Sequence, residues 1–179
     1  MRIVAGEFRG RTLKSPAWDG LRPTSDRLRE TLFNILGPSI AGARVLDGYA
    51  GTGAIGIEAL SRGAAHVTFV DSDARAVRLI ETNLAALMVR PGDRAIIRAD
   101  FADAAARLSG EPFDLIIADP PYAHDAADAA LAAAHALAGA STRVVVEHAS
   151  RHAAPPVHGA LRLVRTAKAG DSALSFYAA

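Results

Sequence analysis

Cysteine is missing from all 179 residues. Disulfides, thiolate zinc sites, iron–sulfur clusters and a cysteine nucleophile are therefore excluded, and nothing argues for an oxidising compartment. Also missing is any apolar run near the roughly 18 residues that a membrane-spanning helix needs. The front end, Met1-Arg2-Ile3-Val4-Ala5-Gly6-Glu7, lacks the unbroken apolar stretch of a secretion signal. A soluble, cytoplasmic protein with no membrane partner is expected. An excess of one charge is absent too: 20 Lys and Arg stand against 19 Asp and Glu, a net +1. That sum neither predicts nor excludes an anionic partner, so the placement of the charges matters more.

What is present is a large apolar share, 50% of the residues, enough to bury a core within one domain of ordinary size. The basic charge collects at the front, where Arg2, Arg9, Arg11 and Lys14 face the single acid Glu7, and Arg22, Arg27 and Arg29 follow. Gly6 and Gly10 between short β-tolerant runs suggest a small hairpin or irregular arm. Thr24 is a fair N-cap for a helix with Asp26 in its first turn and Leu28, Leu32, Ile35 and Leu36 at helical spacing. Gly37-Pro38 ends it. Residues 1–40 thus read as a basic arm and helix, and 41–179 as the core of the same domain.

From residue 43 short β-branched runs alternate with helical stretches, the pattern of a parallel sheet covered on both faces. Strands are expected at Ala43–Asp47, His66–Asp71, Ala95–Asp100 and Phe113–Asp119, each ending in an acid. Helices are expected at Ala54–Ser61, Ala74–Leu87 and Ala126–Ala138. A fifth strand, Arg143–His148, precedes a loop around Pro155-Pro156, and Leu161–Thr166 with Ala173–Tyr177 reads as an antiparallel hairpin at the sheet edge. The sum is a seven-stranded, mostly parallel α/β sheet. In such sheets ligands bind beyond the carboxyl ends of the strands, so four acids point to one crevice.

Gly51-Thr52-Gly53-Ala54-Ile55-Gly56 matches G-x-G-x-x-G, and Asp71 lies twenty residues beyond Gly51, as in a dinucleotide enzyme. That match alone is weak, and a tight turn with no ligand is the plain alternative. The residues upstream discriminate, because Asp47 and Tyr49 interrupt the apolar approach of a dinucleotide strand. Asp47-Gly48-Tyr49-Ala50-Gly51-Thr52-Gly53 is similar to the first motif of class I methyltransferases, D-x-x-x-G-x-G. S-adenosylmethionine brings an ammonium and a sulfonium where a dinucleotide brings a pyrophosphate, and an acid suits a cation. Gly51 and Gly53 would let the backbone approach the cofactor, Asp71 would accept from both ribose hydroxyls, and Asp100 and Phe101 would hold the adenine by its amino group and its face.

Asp119-Pro120-Pro121-Tyr122 closes the strand that begins at Phe113. Two prolines fix two φ angles and remove two donors, leaving the Asp119 carboxylate and the Pro120 carbonyl as a rigid pair of acceptors. An exocyclic amine offers two N–H groups to match. Its lone pair is delocalised into the ring, and acceptors aimed at its hydrogens favour the pyramidal geometry needed for attack and stabilise the developing positive charge. The sulfonium is already a good leaving group, so neither a metal nor a covalent intermediate is needed. Tyr122 would stack on an unstacked target base.

These motifs lie within a chain that resembles, over almost its whole length, the bacterial 16S ribosomal RNA guanine-N2 methyltransferases of the RsmD type. The resemblance rests further on Arg2-Ile3-Val4-Ala5-Gly6, Arg9-Gly10-Arg11 and Arg22-Pro23-Thr24-Ser25-Asp26-Arg27-Leu28-Arg29-Glu30-Thr31-Leu32-Phe33. It continues through Gly56-Ile57-Glu58-Ala59-Leu60-Ser61-Arg62-Gly63-Ala64 and ends at Gly170-Asp171-Ser172-Ala173-Leu174-Ser175-Phe176-Tyr177. It implies a class I (Rossmann-like) fold and methylation of a guanine N2 amine in 16S rRNA, presented by a small ribosomal subunit or an assembly intermediate, by a monomer. It places Thr24 near the methionine end of the cofactor, and Asp47, Tyr49 and Thr52 are further expected cofactor-binding residues. It also gives RNA phosphates to Arg9, Arg11, Lys14, Arg22, Arg27 and Arg29. Gly48 departs from the family, which usually has a larger apolar residue there, and Ala169 stands in place of a usual tyrosine.

Other readings remain open on the residues alone: an adenine-N6 methyltransferase of DNA or RNA, a glutamine methyltransferase, an NAD(P)-dependent oxidoreductase, or a non-catalytic RNA-binding assembly factor. A separate target-recognition domain has no room here, which tilts the reading away from DNA. The six histidines show no metal-ligand spacing. Of these His124 lies closest to Tyr122. Phe8 and Trp18 could stack on RNA or pin the arm.

Overall fold

The computed structural model describes residues 1–16, 18, 25–121 and 125–179. Eight strands form one sheet in the order β3-β2-β1-β4-β5-β8-β7-β6. The first five, β1 (Arg44–Gly48), β2 (His66–Asp71), β3 (Arg94–Arg98), β4 (Leu115–Ala118) and β5 (Arg143–Ala149), pair in parallel. Their β-branched, doubly buried sequences suit a sheet covered on both faces. Then β8 (Ser172–Ala178) runs antiparallel to β5, β7 (Leu161–Ala169) antiparallel to β8, and β6 (Val157–His158) antiparallel to β7. The expected sheet of seven strands is thus corrected to eight. The added β6 has two residues and carries no periodicity to detect.

Helices α1 (Asp26–Leu36), α2 (Ala54–Ser61) and α3 (Ala74–Ala86) contribute to one core, around Leu32, Phe33, Val45, Ile57, Phe69 and Ile80. On the other face α4 (Phe101–Arg107) and α5 (Ala126–Leu137) pack around Leu46, Ile116, Val144 and Tyr177. Helix α4 was not foreseen: Asp100, read as the end of a strand, is the residue before this helix, and β3 already stops at Arg98. At α1 the cap is Ser25, whose hydroxyl accepts from the Leu28 N–H at 3.2 Å. Thr24, expected there, lies outside the described residues.

The front arm is a small hairpin. Arg2 and Thr12 form an antiparallel bridge, and Ile3 N–H donates to the Arg11 carbonyl at 3.0 Å. Strand order reverses between β2-β1 and β1-β4, so the crevice of the sheet opens where β1 and β4 end side by side.

Candidate active site

At its end β1 turns sharply into α2. Tyr49, Gly51 and Gly53 all have positive φ (61°, 55° and 76°). Tyr49 carries a side chain in a region that favours glycine, at a cost on the order of 1–3 kcal/mol. The loop is over-determined enough to hold it. Ala50 N–H donates to the Val70 carbonyl (2.9 Å), Gly53 N–H to the Ala50 carbonyl (2.7 Å) and Gly51 N–H to Asp71 Oδ2 (2.8 Å). Asp71 Oδ1 accepts from Asp73 N–H at 2.8 Å. One lone pair remains on each of these oxygens for ligand hydroxyls. Gly56, the third glycine of the motif, is set by packing: a Cβ there would lie 2.3 Å from Phe69 Cε1.

Asp47 is only 1% exposed, and its Oδ2 accepts from the Gly56 N–H in the first turn of α2 at 2.8 Å. Burial pushes its pKa up to about 8, the Gly56 N–H pulls the other way, and the charge of Asp71 adds to the rise. Near neutral pH this acid holds a proton for much of the time. A cation brought against it would favour the ionised form.

Asp100 is exposed and its carboxylate does not cap its own helix, which leaves it available as an acceptor. Phe101 is only 2% exposed. Its ring lies 5.3 Å from that of Tyr49, tilted by 49°, and fills the space where a Gly48 Cβ would sit, 2.6 Å from Phe101 Cε2. The half-buried Tyr49 therefore offers more aromatic surface to the crevice than Phe101 does. Burial, and secondarily the charge of Asp100, raises the pKa of the Tyr49 hydroxyl.

Asp119 comes one residue after the Gly48–Ala118 pair, and its N–H donates to the Gly48 carbonyl at 3.3 Å. The proline motif thus begins against the first residue of the glycine loop. Asp119 is half-buried, Pro120 buried and Pro121 exposed. Tyr122 and His124 lie outside the described residues.

A family model described as "Conserved hypothetical protein 95" matches residues 1–178. The chain belongs to that family. Among similar proteins, the "Ribosomal RNA small subunit methyltransferase D" of Escherichia coli strain K12 is 43% identical over 122 residues, 68% of this chain and 60% of that protein. The protein of the same name in Haemophilus influenzae is 40% identical over 132 residues, 73% of this chain and 68% of that one. The alignment with the Escherichia coli relative therefore spans less than two thirds of it. A solved structure, yhhF from Escherichia coli, has TM-score 0.87 at 35% identity and covers 99% of this chain and 97% of its own.

The front arm of the chain is built inward as much as outward. Glu58, fully buried on α2, accepts from Val4 N–H (2.8 Å), Ala5 N–H (2.9 Å) and Arg62 Nε (2.9 Å). Asn83 on α3 accepts from Lys14 N–H (2.8 Å) and donates to the carbonyls of Lys14 (3.3 Å) and Thr52 (3.1 Å), joining the arm to the glycine loop. Both side chains were missed in the sequence. Asn83 left a signal, a polar letter within the stripe Ala76, Ile80, Leu84 that α3 buries.

Of the six cations given to RNA, Arg29 is corrected. Its side chain is 0% exposed and donates through Nη2 to the Arg2 carbonyl and Asp26 Oδ1, both at 2.7 Å. Burial lowers its pKa against the pull of Asp26 and Glu58. Arg9, Lys14 and Arg27 are exposed, whereas Arg11 is exposed but donates to the Ala86 carbonyl at 2.9 Å. Arg22 lies outside the described residues. The Arg75 guanidinium sits 5.1 Å over the ring of Trp18, and Phe8 packs against the core, so both aromatics pin the front of the chain. Among the described residues no group of His, Asp and Glu is arranged to hold a metal ion.

Proposed function

We propose that this chain transfers the methyl group of S-adenosylmethionine to the exocyclic N2 amine of a guanine in 16S rRNA. The observation that carries this reading is the contact of Asp119 with Gly48, which joins an acceptor for an amine to a loop shaped for the cofactor. The donor set fits the cofactor. Gly51 and Gly53 bring bare backbone to it with Thr52 between them, Asp71 keeps lone pairs for the ribose, and Asp100 has an unused carboxylate for the adenine amine. Asp47 answers the ammonium, Tyr49 walls the adenine with the buried Phe101 packed behind it, and Thr24 is assigned to the methionine end. When bound, the cofactor supplies a methyl group already activated by its sulfonium.

The protein's part is orientation and charge. Asp119 and the Pro120 carbonyl accept the two amine hydrogens and pyramidalise the nitrogen, Pro121 stiffens the turn, and Tyr122 stacks on the base. Asp119 would also take the proton that the amine gives up on accepting the methyl group. Arg9, Arg11, Lys14, Arg22 and Arg27 hold phosphates of the RNA. The substrate context is a small ribosomal subunit or its precursor in the cytoplasm, met by a monomeric enzyme.

Incubation with labelled cofactor and, in parallel, unmethylated small subunits, free rRNA and DNA, followed by nucleoside digestion, tests this. Label is expected in N2-methylguanosine from rRNA. Label in N6-methyladenine, or preferential binding of NAD, would replace the proposal.

A further inference from the structure

A cavity of about 320 Å³ lies between α5 and the strands β5 and β8. Ala118 of β4 is paired in parallel with Val146 of β5, and the two chains run on in the same direction, to Asp119-Pro120 and to His148. His148 lines the cavity, which therefore opens on the same sheet edge as Asp119-Pro120. Its floor is apolar, from Leu131, Val146 and Tyr177, all buried. Its wall is stiff. His148 Nδ1 donates to the Ala149 carbonyl (3.0 Å), and Nε2 lies 2.8 Å from Ser175 Oγ.

The rim carries charge of both signs. Asp128, on the first turn of α5, is exposed and close enough to Tyr177 that its charge adds to the burial that pushes that hydroxyl up to about 12. Arg151 lines the cavity from the loop after β5. Outside the lining, Lys168 of β7 pairs with Ala173, which pairs with His148, so its side chain stands on the same sheet face two strands from the cavity wall. Both cations are exposed and form no ion pair among the described residues. An apolar slot, one acceptor and two cations match a flat base with N–H groups on its edge and a phosphate on either side. The methylated guanine itself is excluded, because its amine must meet Asp119 and Pro120, and neither lines this cavity.

We propose that the cavity takes the unstacked base next to the methylated guanine, with Asp128 accepting from its edge and Arg151 and Lys168 holding its phosphates. The inference rests on the rRNA reading above. The chain has no cysteine, so Ala153→Cys at the cavity rim places a single thiol for a photo-crosslinker. With unmethylated small subunits, the crosslink is expected on a nucleotide adjacent to the methylated one and is expected to vanish when Arg151→Glu is added. Arg151→Glu alone should raise the KM for small subunits about tenfold and leave cofactor affinity unchanged. A crosslink to a distant nucleotide or a ribosomal protein, no crosslink, or an unchanged KM would overturn the cavity assignment while methylation by the wild type still stood. Failure of the wild type to label rRNA would overturn both.

Discussion

The two sides of the sheet use their polar side chains in opposite ways. Around β1, β2, α2 and α3 they are spent on backbone: Asp47 on Gly56, Asp71 on Gly51 and Asp73, Glu58 on Val4 and Ala5, and Asn83 on Lys14 and Thr52. Around β5, β7 and β8, Arg151, Arg162, Arg165 and Lys168 are exposed and make no ion pair among the described residues. On the proposed reading the first side is preorganised for a ligand of one shape, and the second keeps long cationic chains loose, as contacts with an RNA backbone would require.

The sharpest break in that comparison is Glu58→Ala. It strands two part-buried N–H groups and removes the counter-charge beside Arg29 and Arg62. A loss of about 3–5 kcal/mol is expected in denaturant titration, against less than about 0.5 kcal/mol for Arg151→Ala. Next comes Asp119→Ala, which should lower kcat by about 10²–10³ while calorimetry finds cofactor affinity retained. Unchanged turnover would remove Asp119 from the chemistry.

Asp47→Asn separates stability from binding. Between the ordinary aspartate range and about 8 the folded protein holds a proton that the unfolded chain has lost, so stability falls as pH rises through this window. The asparagine variant lacks this fall. Its Tm should exceed that of the wild type above pH 8, by about 2–4 °C for each kcal/mol recovered, and the gap should close towards pH 4. Cofactor affinity in the wild type should weaken as pH drops below 8, by up to about tenfold per unit, and become flat in the variant. The smallest effect is at the arm. Arg9→Ala with Arg27→Ala should reduce the salt slope of RNA binding by about 1.4–1.8, whereas Arg29→Lys should leave that slope unchanged and lower stability.

Much of this was legible because period and punctuation agree. Helix α2 was bounded to the residue, strands β1 to β5 and β8 were placed within two residues of their observed ends, β7 runs three residues past the expected Thr166, and the glycine loop and proline motif stood out as letters. Helix α4 was lost because its seven residues directly follow an acid that completed an attractive row of strand ends. Arg29 was misplaced by its charge, although its spacing to Phe33 and Leu36 puts it on the buried stripe of α1. Phe101 was read as a ligand face because nothing in the sequence reveals that Gly48 leaves room for its ring. The glycine that departs from the family's habit and the buried phenylalanine are two halves of one packing solution. The role of Glu58 was invisible because two of its three partners are backbone groups more than 50 positions away, and the third, Arg62, reads as an ordinary pair one helical turn on.

That separation has a consequence in time. Val4 and Ala5 wait for Glu58, and Lys14 for Asn83, 69 positions later. At about 5–20 residues per second a growing chain needs roughly 3–14 s to make that interval. Until then Ile3 and Leu13, both buried in the finished fold, have no core to enter. The basic arm thus stays undocked while the next several dozen residues are made, and its docking must follow the synthesis of α3.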